Sequence, residues 1–293
     1  MLRFQAAQPP MKIESSPKLA AQYWQAFTQT KPGLTENQPI PRAMLEVERV
    51  AVDSEALVRF REFVGSGEAF PLSFAYVLAQ PAHLHMINQP GFPVRSMGLV
   101  HAQNRIERLQ SIDSTAPFSL QIAVVDDHAR RRGREFTVET LFVQNGARCL
   151  IMRSGYLSRV RGAERSKEKL PAETPAPAPQ APGTLIEAVP FASNFGRRYA
   201  RVSGDYNPIH LASWLARPFG FRRAIAHGIG ALARIDAVLG QHQRGSTRVL
   251  AVVFRRPVDL PSNPQLHATA NANTVVLLDA QGRELQVVER EWQ

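Results

Sequence analysis

The chain has 293 residues, 44% hydrophobic and 20% charged, a composition that excludes a wholly disordered chain, a coiled coil and a collagen-like fibre. Its length predicts about two domains, and its one cysteine, Cys149, excludes an internal disulfide. There is no run of about eighteen apolar residues and no apolar stretch typical of a signal peptide. We therefore expect no membrane span and a cytoplasmic location.

The formal charge of +10 is spread along the chain rather than gathered in one stripe. The tightest cluster is the run Arg130, Arg131, Arg132 and Arg134. Because there is no recognition helix, RNP-like strand or zinc-ligand spacing, we expect no nucleic-acid partner and no metal. The arginines form a solvated surface, or some of them meet a phosphorylated carrier, since a guanidinium binds phosphate bidentately.

Residues 1–40 predict an amino-terminal arm, and residues 41–163 predict an α+β domain. The arm has a helical apolar pattern at Leu19, Tyr23, Trp24 and Phe27, stopped near Pro32. The domain elements are a strand at 44–52, an amphipathic helix from 57 to 64, a buried helix at 72–87 kinked at Pro81, and strands at 98–106, 118–125, 136–143 and 149–157. Asn145-Gly146 is the strongest hairpin signal in the chain.

Residues 164–183 predict a linker, because alternating prolines and alanines favour an extended spacer. Residues 184–293 repeat the order of the first domain in shorter form. The predicted elements are a short amphipathic segment at 195–202, a long helix at 225–239 capped by Gly240, and strands at 248–254, 266–270, 274–278 and 284–289. A helix that is apolar nearly all round must be enclosed. The sequence therefore predicts a helix wrapped in antiparallel sheet, twice, as a duplication.

The chemistry is concentrated in one polar bend, Gly204-Asp205-Tyr206-Asn207-Pro208-Ile209-His210. Glycine permits a tight bend, the Asp and Asn side chains favour turns, and Pro208 suits the first position of a short helix. The bend can bring Asp205 and His210 together, and a carboxylate–imidazole pair can move protons to and from water at neutral pH. In the alternative interpretation Asp205 only caps the helix and His210 only packs.

A second feature, Ala226-His227-Gly228, ends eighteen positions after His210, at the start of the long helix. The Gly228 N–H belongs to the unpaired first turn, where the helix dipole is positive, so it can stabilise a developing oxyanion. Gly228 and Gly230 also suit close helix–sheet packing, and His227 is more typical of a helix start than of a catalyst.

Together these residues resemble the hydratase-2 signature of the MaoC-like hotdog enzymes, the (R)-specific enoyl-thioester hydratases and 3-hydroxyacyl-thioester dehydratases. The resemblance adds Tyr199, Ser203 and the strand 254–258, and residues 72–107 resemble the degenerate hotdog of double-hotdog members. It implies two hotdogs side by side, an α+β double hotdog that is pseudo-dimeric in one chain. Gly230-Ala231 replaces bulkier residues that are frequent in the family, which leaves the depth of the pocket open.

The resemblance also implies the roles of the site residues. Asp205 and His210 are the expected catalytic pair, Gly228 the oxyanion donor, and Asn207, Tyr199, Ser203 and His227 the residues that shape the site or bind substrate. No cofactor is expected beyond coenzyme A or an acyl carrier protein as the carrier of the substrate. A homodimer is one of the oligomeric states that the sequence leaves open.

The first domain lacks the polar bend and a histidine–glycine pair at its helix start, so we expect it to hold no active site, with His83, His85 and His101 in packing or surface roles. Two other functions remain open. A hotdog thioesterase would typically use an acidic residue in the long helix, where Asp236 is the one acid, placed near the predicted helix end. A non-catalytic acyl-thioester binder would not need the Asp–His pair.

Overall fold

The computed structural model of the protein describes residues 9–35, 38–130, 133–159, 183–242 and 245–292. The helices are α1 Leu19–Thr28, α2 Ser54–Val64, α3 Leu72–Asn88, α4 Phe195–Ser203, α5 Ser213–Ala216 and α6 Gly228–His242, with 3₁₀ turns at Pro208–His210 and Arg217–Phe219. The strands are β1 Met11–Ser15, β2 Met44–Val50, β3 Val100–Arg108, β4 Phe118–Arg130, β5 Gly133–Gln144, β6 Ala147–Arg159, β7 Leu185–Ala188, β8 Thr247–Phe254, β9 Gln265–Ala268, β10 Thr274–Leu278 and β11 Glu284–Trp292.

The strands form one sheet in the order β1-β2-β4-β5-β6-β3-β8-β11-β10-β9-β7. Strands β3 and β8 join the two halves in antiparallel register, with Ile106 opposite Leu250. The hairpin predicted at Asn145-Gly146 is confirmed: both residues have positive φ, 50° and 75°, as a two-residue type I′ turn requires. The sheet is therefore continuous across the duplication.

Two long helices, α3 and α6, fill the interior, and they contact each other. Twelve of the 17 residues of α3 are buried, so this helix has no wide solvated face. Pro81 lies inside α3, which continues through it to Asn88. Most buried apolar residues of both halves form one cluster, and Val276, Leu278 and Val287 form a second, smaller one. The predicted α+β fold with two enclosed helices is confirmed.

The amino-terminal arm is tied into the first half at three points. Strand β1 pairs parallel with β2, and the Lys31 ammonium donates to the carbonyls of Ile87, Gln89 and Phe92 at 2.5, 2.8 and 3.0 Å. Helix α1 packs on α3. The predicted helix is confirmed, but not its apolar face, because Trp24 and Phe27 are 73% and 56% exposed.

The prediction that Gly240 caps the long helix is wrong, because α6 runs through Gly240 to His242. A glycine C-cap needs a positive φ, and Gly240 is not among the glycines with one. Helix α6 also begins three residues later than predicted, at Gly228. Strand β7 was not predicted. The predicted linker lies outside the described residues, apart from Gly183. No helix in the described ranges is long and apolar enough to cross a membrane.

Candidate active site

The polar bend is built by the end of α4. Gly204 adopts a left-handed conformation with φ of 75°, which turns the chain into Asp205. The Ser203 hydroxyl donates to the Tyr199 carbonyl at 2.8 Å and accepts the Asp205 N–H at 3.2 Å. The Asn207 side chain then caps the 3₁₀ turn by accepting the Ile209 N–H at 3.4 Å. Ser203 and Asn207 thus shape the bend through its backbone.

His210 is held in one tautomer. Its Nδ1 lies 2.8 Å from the Ile225 carbonyl oxygen, and because a carbonyl only accepts, Nδ1 carries the proton. Burial lowers the pKa of His210, against the opposing charge of Asp205, so the ring is neutral at pH 7 and its Nε2 is a hydrogen-bond acceptor. Helix α4 packs directly behind it: a Cβ on Gly196 would lie 1.9 Å from the His210 carbonyl oxygen.

His227 connects the bend to α6. Its Nε2 donates to the Asp205 backbone carbonyl at 2.9 Å and lies 3.9 Å from Asp205 Oδ1. Its ring faces that of His210, with centroids 3.7 Å apart. Burial, assisted by His210, lowers the pKa of His227 to about 3, so this ring is also neutral. Its Nδ1 is a buried acceptor without a partner among the described residues.

The Asp205 carboxylate accepts three hydrogen bonds. Tyr23 Oη donates to Oδ1 at 2.5 Å, Gln80 Nε2 to Oδ2 at 2.7 Å, and the Asn207 N–H to Oδ1 at 3.1 Å. Burial acts to raise the pKa of Asp205, but the nearby histidines and the Tyr23 and Gln80 bonds outweigh it and the pKa is lowered. The carboxylate is therefore ionised at neutral pH although it is only 8% exposed.

Sequence reasoning missed Tyr23 and Gln80 as site residues. Tyr23 lies 182 positions and Gln80 125 positions before Asp205. Tyr23 matches the apolar face of an arm helix, so its hydroxyl carried no signal. Gln80 did leave a signal, because it is an amide in an otherwise apolar buried helix, and such a group needs a partner.

Gly228 is the first residue of α6, beside Phe254. A Cβ there would lie 2.8 Å from the Phe254 ring, and a Cβ on Gly230 would lie 2.8 Å from the Tyr199 ring. Tyr199 also packs on His227, with centroids 4.6 Å apart. Both glycines are thus required by packing. The Gly228 N–H remains in the first helical turn, where intrahelical acceptors are lacking. Asp205, His210 and Gly228 are brought together around His227.

A buried ion cluster joins the two halves. We define it as Glu68 and Arg108 of the first half with Asp236, Thr247 and Arg290 of the second. Arg290 Nε lies 2.8 Å from Asp236 Oδ1, and its Nη2 lies 3.4 Å from Glu68. Arg108 Nη2 binds Glu68 at 3.2 Å, and Thr247 donates to Glu68 through its N–H at 2.9 Å and through its hydroxyl. The two acids and two arginines balance in charge.

Asp236 does not lie near the end of its helix, as the sequence suggested, because α6 extends to His242. Asp236 and Arg290 side chains are each 3% exposed, and burial raises the pKa of Asp236 to about 6 in spite of Arg290. The carboxylate is bound to Arg290 rather than presented to a substrate.

The histidines of the first half pack inside it or bond locally. His83 bonds Tyr156 Oη at 2.9 Å and Thr140 Oγ1 at 2.7 Å. His101 stacks on Tyr76 and Tyr156, and the His85 ring lies 3.2 Å from the Gln89 amide. Burial lowers the pKa of His83 and of His101 to about 3. Within the described residues there is no group of three or more His, Cys, Asp or Glu that could hold a metal.

Comparison with known proteins defines the class. Residues 175–286 match the MaoC like domain. The chain is 26% identical over 242 residues to 3-hydroxyacyl-thioester dehydratase X of Mycobacterium tuberculosis, covering 80% of this chain and 83% of that protein. A second relative, the mitochondrial 3-hydroxyacyl-[acyl-carrier-protein] dehydratase of Arabidopsis thaliana, is 33% identical over 75 residues, 25% of this chain and 45% of the relative.

Solved structures agree on the fold. The crystal structure of HtdX from Mycobacterium tuberculosis superposes with a TM-score of 0.70 at 22% identity, over 85% of this chain and all of that one. A double hotdog protein from the same organism gives 0.54 at 11% identity, over 88% of this chain and 96% of its own. The protein is therefore an α+β double hotdog. More narrowly, the match of residues 175–286 to the MaoC like domain agrees with the family resemblance of the sequence.

Proposed function

We propose that the protein catalyses reversible hydration of trans-2-enoyl thioesters to (R)-3-hydroxyacyl thioesters. The observation that carries the proposal is the meeting of an ionised Asp205, a neutral His210 whose Nε2 can accept a proton, and the first turn of α6. Two relatives are named as 3-hydroxyacyl dehydratases, which supports dehydratase or hydratase chemistry on acyl thioesters. The proposed compartment is the cytoplasm, and the carrier is coenzyme A or an acyl carrier protein.

In the proposed mechanism a water molecule lies between the Asp205 carboxylate and His210 Nε2. As the water oxygen bonds to C3, His210 Nε2 takes its proton, and the negative charge of Asp205 stabilises the imidazolium. The C2–C3 π electrons move to the thioester oxygen, where the Gly228 N–H and the α6 dipole stabilise the enolate. The enolate then takes a proton at C2 on the same face, which makes the addition syn.

The proton given to C2 comes from the Asp205–His210 pair, which titrates as a unit because the two groups interact strongly. Dehydration is the same path in reverse. The chemistry needs no redox partner and no electron sink, so no cofactor is part of the proposal.

The proposed substrates are medium to long acyl chains of fatty acid metabolism. Since the first half carries no second polar bend with an Asp–His pair, no second reaction centre occupies it, and it can accommodate an acyl tail. Turnover measured with enoyl-CoA across a series from short to long acyl chains tests this point. A strict preference for the crotonyl thioester would contradict it.

The decisive experiment follows enone absorbance and free thiol together, with crotonyl-CoA and a longer enoyl-CoA. Hydration removes the absorbance without releasing thiol. Thiol release would indicate a thioesterase, which the Asp236–Arg290 pairing disfavours. A protein that binds the thioester and changes neither signal would be a non-catalytic binder, and the proposal would fall.

A further inference from the structure

The Asp205 carboxylate is held by residues from three separate parts of the chain. Tyr23 belongs to the amino-terminal arm, Gln80 to the central helix of the first half, and Asn207 to the bend itself. Gln80 Nε2 also lies 3.4 Å from Tyr23 Oη, so the two outer donors contact each other as well as the carboxylate. A carboxylate that accepts from Tyr23 at 2.5 Å and from Gln80 at 2.7 Å is fixed in orientation by both oxygens.

Tyr23 is turned inward while its neighbour Trp24 on α1 is not. Trp24 is 73% exposed, whereas the buried Leu19 lies over the bend, where a Cβ on Gly204 would meet its Cδ2 at 3.8 Å. Asn88 of α3 donates to the Gln22 carbonyl at 2.9 Å. Together with β1 and Lys31, this contact fixes the position of α1, so the Tyr23 hydroxyl is presented to Asp205 by an anchored element.

Toward Asp205, the Tyr23 hydroxyl acts only as a hydrogen-bond donor. Burial and the charge of Asp205 raise the pKa of Tyr23, so the phenol keeps its proton at any physiological pH. The titratable groups that face Asp205 are His210 and His227 from the second half and Tyr23, Tyr76, Tyr156 and Tyr199. Among these groups, only Tyr23 contributes a hydrogen bond to the carboxylate itself.

We propose that Tyr23 and Gln80 are positioning residues for the reaction at Asp205. The amino-terminal arm and helix α3 of the first half thereby contribute side chains to the active site. The role rests on the proposed function. This positioning role explains why the described arm is bound to the first half while Tyr23 contacts the Asp205 carboxylate of the second half. Without the two donors the carboxylate is free to rotate away from the water that it shares with His210.

The test replaces Tyr23 by Phe and follows kcat and KM across pH, with Tyr206→Phe as the control. Tyr206 is next to Asp205 in sequence, but it is 52% exposed and lies outside the set of donors to the carboxylate. Loss of a hydrogen bond to a charged group predicts that kcat of Tyr23→Phe falls about 10- to 100-fold with little change in KM. It also predicts an acid limb moved to higher pH, since Asp205 loses a stabilising donor. Tyr206→Phe should keep nearly the kcat of the unsubstituted protein.

A second variant, Gln80→Glu, keeps the shape of the side chain but adds a carboxyl group beside Asp205. When protonated, the introduced carboxyl can donate as the amide does, and when ionised it repels Asp205. The activity of this variant should therefore decline with rising pH through a range in which the unsubstituted protein is constant. A purely structural role for Gln80 would lower activity equally at all pH values.

A measurement without substrate separates this proposal from the proposed function. Carbon-13 labelling of aspartate carboxyls, with Asp205→Asn to assign the signal, gives the pKa of Asp205 directly. Tyr23→Phe should raise that pKa even if no enoyl thioester is hydrated. An unchanged Asp205 pKa in folded Tyr23→Phe, or an unchanged kcat in an active enzyme, would overturn the role of Tyr23.

Discussion

Gln80 and Asp236 occupy equivalent positions in the two central helices, each eight residues after the first residue of its helix. Gln80 donates to Asp205, which follows α4 and its left-handed Gly204. Asp236 faces Glu68, which follows α2 and its left-handed Gly65, with Arg290 between the two acids. The duplicated fold thus has two equivalent places for a polar group. One is beside Asp205, and the ion cluster occupies the other, beside Glu68 of the first half.

Removing Arg290 is expected to destabilise the fold strongly. Arg290→Met leaves Asp236 buried without its cation, which costs about 3–5 kcal/mol. The matched control is Arg248→Met: the Arg248 side chain is 41% exposed and pairs with Glu107 and Glu291, and a surface pair of this kind contributes at most about 1 kcal/mol. Urea unfolding measures both variants. Equal losses in the two would show that the ion cluster contributes no more than a surface ion pair.

The chemistry of the bend is tested by Asp205→Asn and His210→Ala. Each removes one proton-handling group while the bend keeps its other hydrogen bonds, so turnover should fall about 100-fold or more. His242→Ala is the control, because His242 is on α6 but its side chain is 53% exposed. Initial rates with enoyl-CoA measure the turnover of each variant, and circular dichroism confirms that each variant is folded. Near-normal turnover in both site variants would remove the catalytic assignment.

Sequence reasoning succeeded where the determinants are local. The bend from Gly204 to His210 could be predicted, because its turn formers lie close together and act on their own backbone. Asn145-Gly146 is another such case. The position of Gly228 at a helix start could also be predicted, because a long apolar helical pattern follows it in the sequence.

Sequence reasoning failed where side chains meet across the fold. Nothing near Tyr23 in the sequence indicates that its hydroxyl lies 2.5 Å from Asp205, since the contact depends on how α1 docks on α3. Gly196 is similar, because its lack of a side chain matters only once the His210 carbonyl is packed against it. Gly240 was misinterpreted for the opposite reason. A glycine inside a helix costs only about 0.5–1 kcal/mol, and packing of α6 overrides that local preference.

Gly228→Ala tests the requirement for close approach at the helix start. The added methyl would lie 2.8 Å from the Phe254 ring, so the first turn must shift. Displacing a positioned donor by about 1 Å can lower the rate about 100-fold. Gly240→Ala on the same helix should leave activity unchanged, because a Cβ there comes no closer than 3.5 Å to Arg290. If the contact with the Phe254 ring causes the loss, adding Phe254→Leu to Gly228→Ala should restore part of the activity. An unchanged rate in Gly228→Ala, together with no recovery in the double variant, would argue against this steric explanation.

Acid should unfold the protein through its buried neutral histidines. His83, His101 and His227 have pKa values lowered from 6.5 to about 3, so the unfolded chain binds more protons between those pH values. The stability that each contributes is present above pH 6.5 and is lost as pH falls toward 3, at about 1.4 kcal/mol per pH unit. Asp236 acts in the opposite direction, since its pKa is raised from 3.8 to about 6 and the stability it contributes is lost as pH rises through 6.

The balance of three histidines against one aspartate is a net loss of stability on acidification. For a protein with a free energy of unfolding of about 5–15 kcal/mol, unfolding is expected at about pH 4 to 5 or below. His101→Phe keeps a ring between Tyr76 and Tyr156, at 4.8 and 5.1 Å from their centroids in the unsubstituted protein, but removes one titrating group. Its acid midpoint, followed by circular dichroism, should move to lower pH. His128→Gln, a change at a side chain that is 56% exposed, should leave the midpoint in place; a shift as large as that of His101→Phe would show that burial is not the cause.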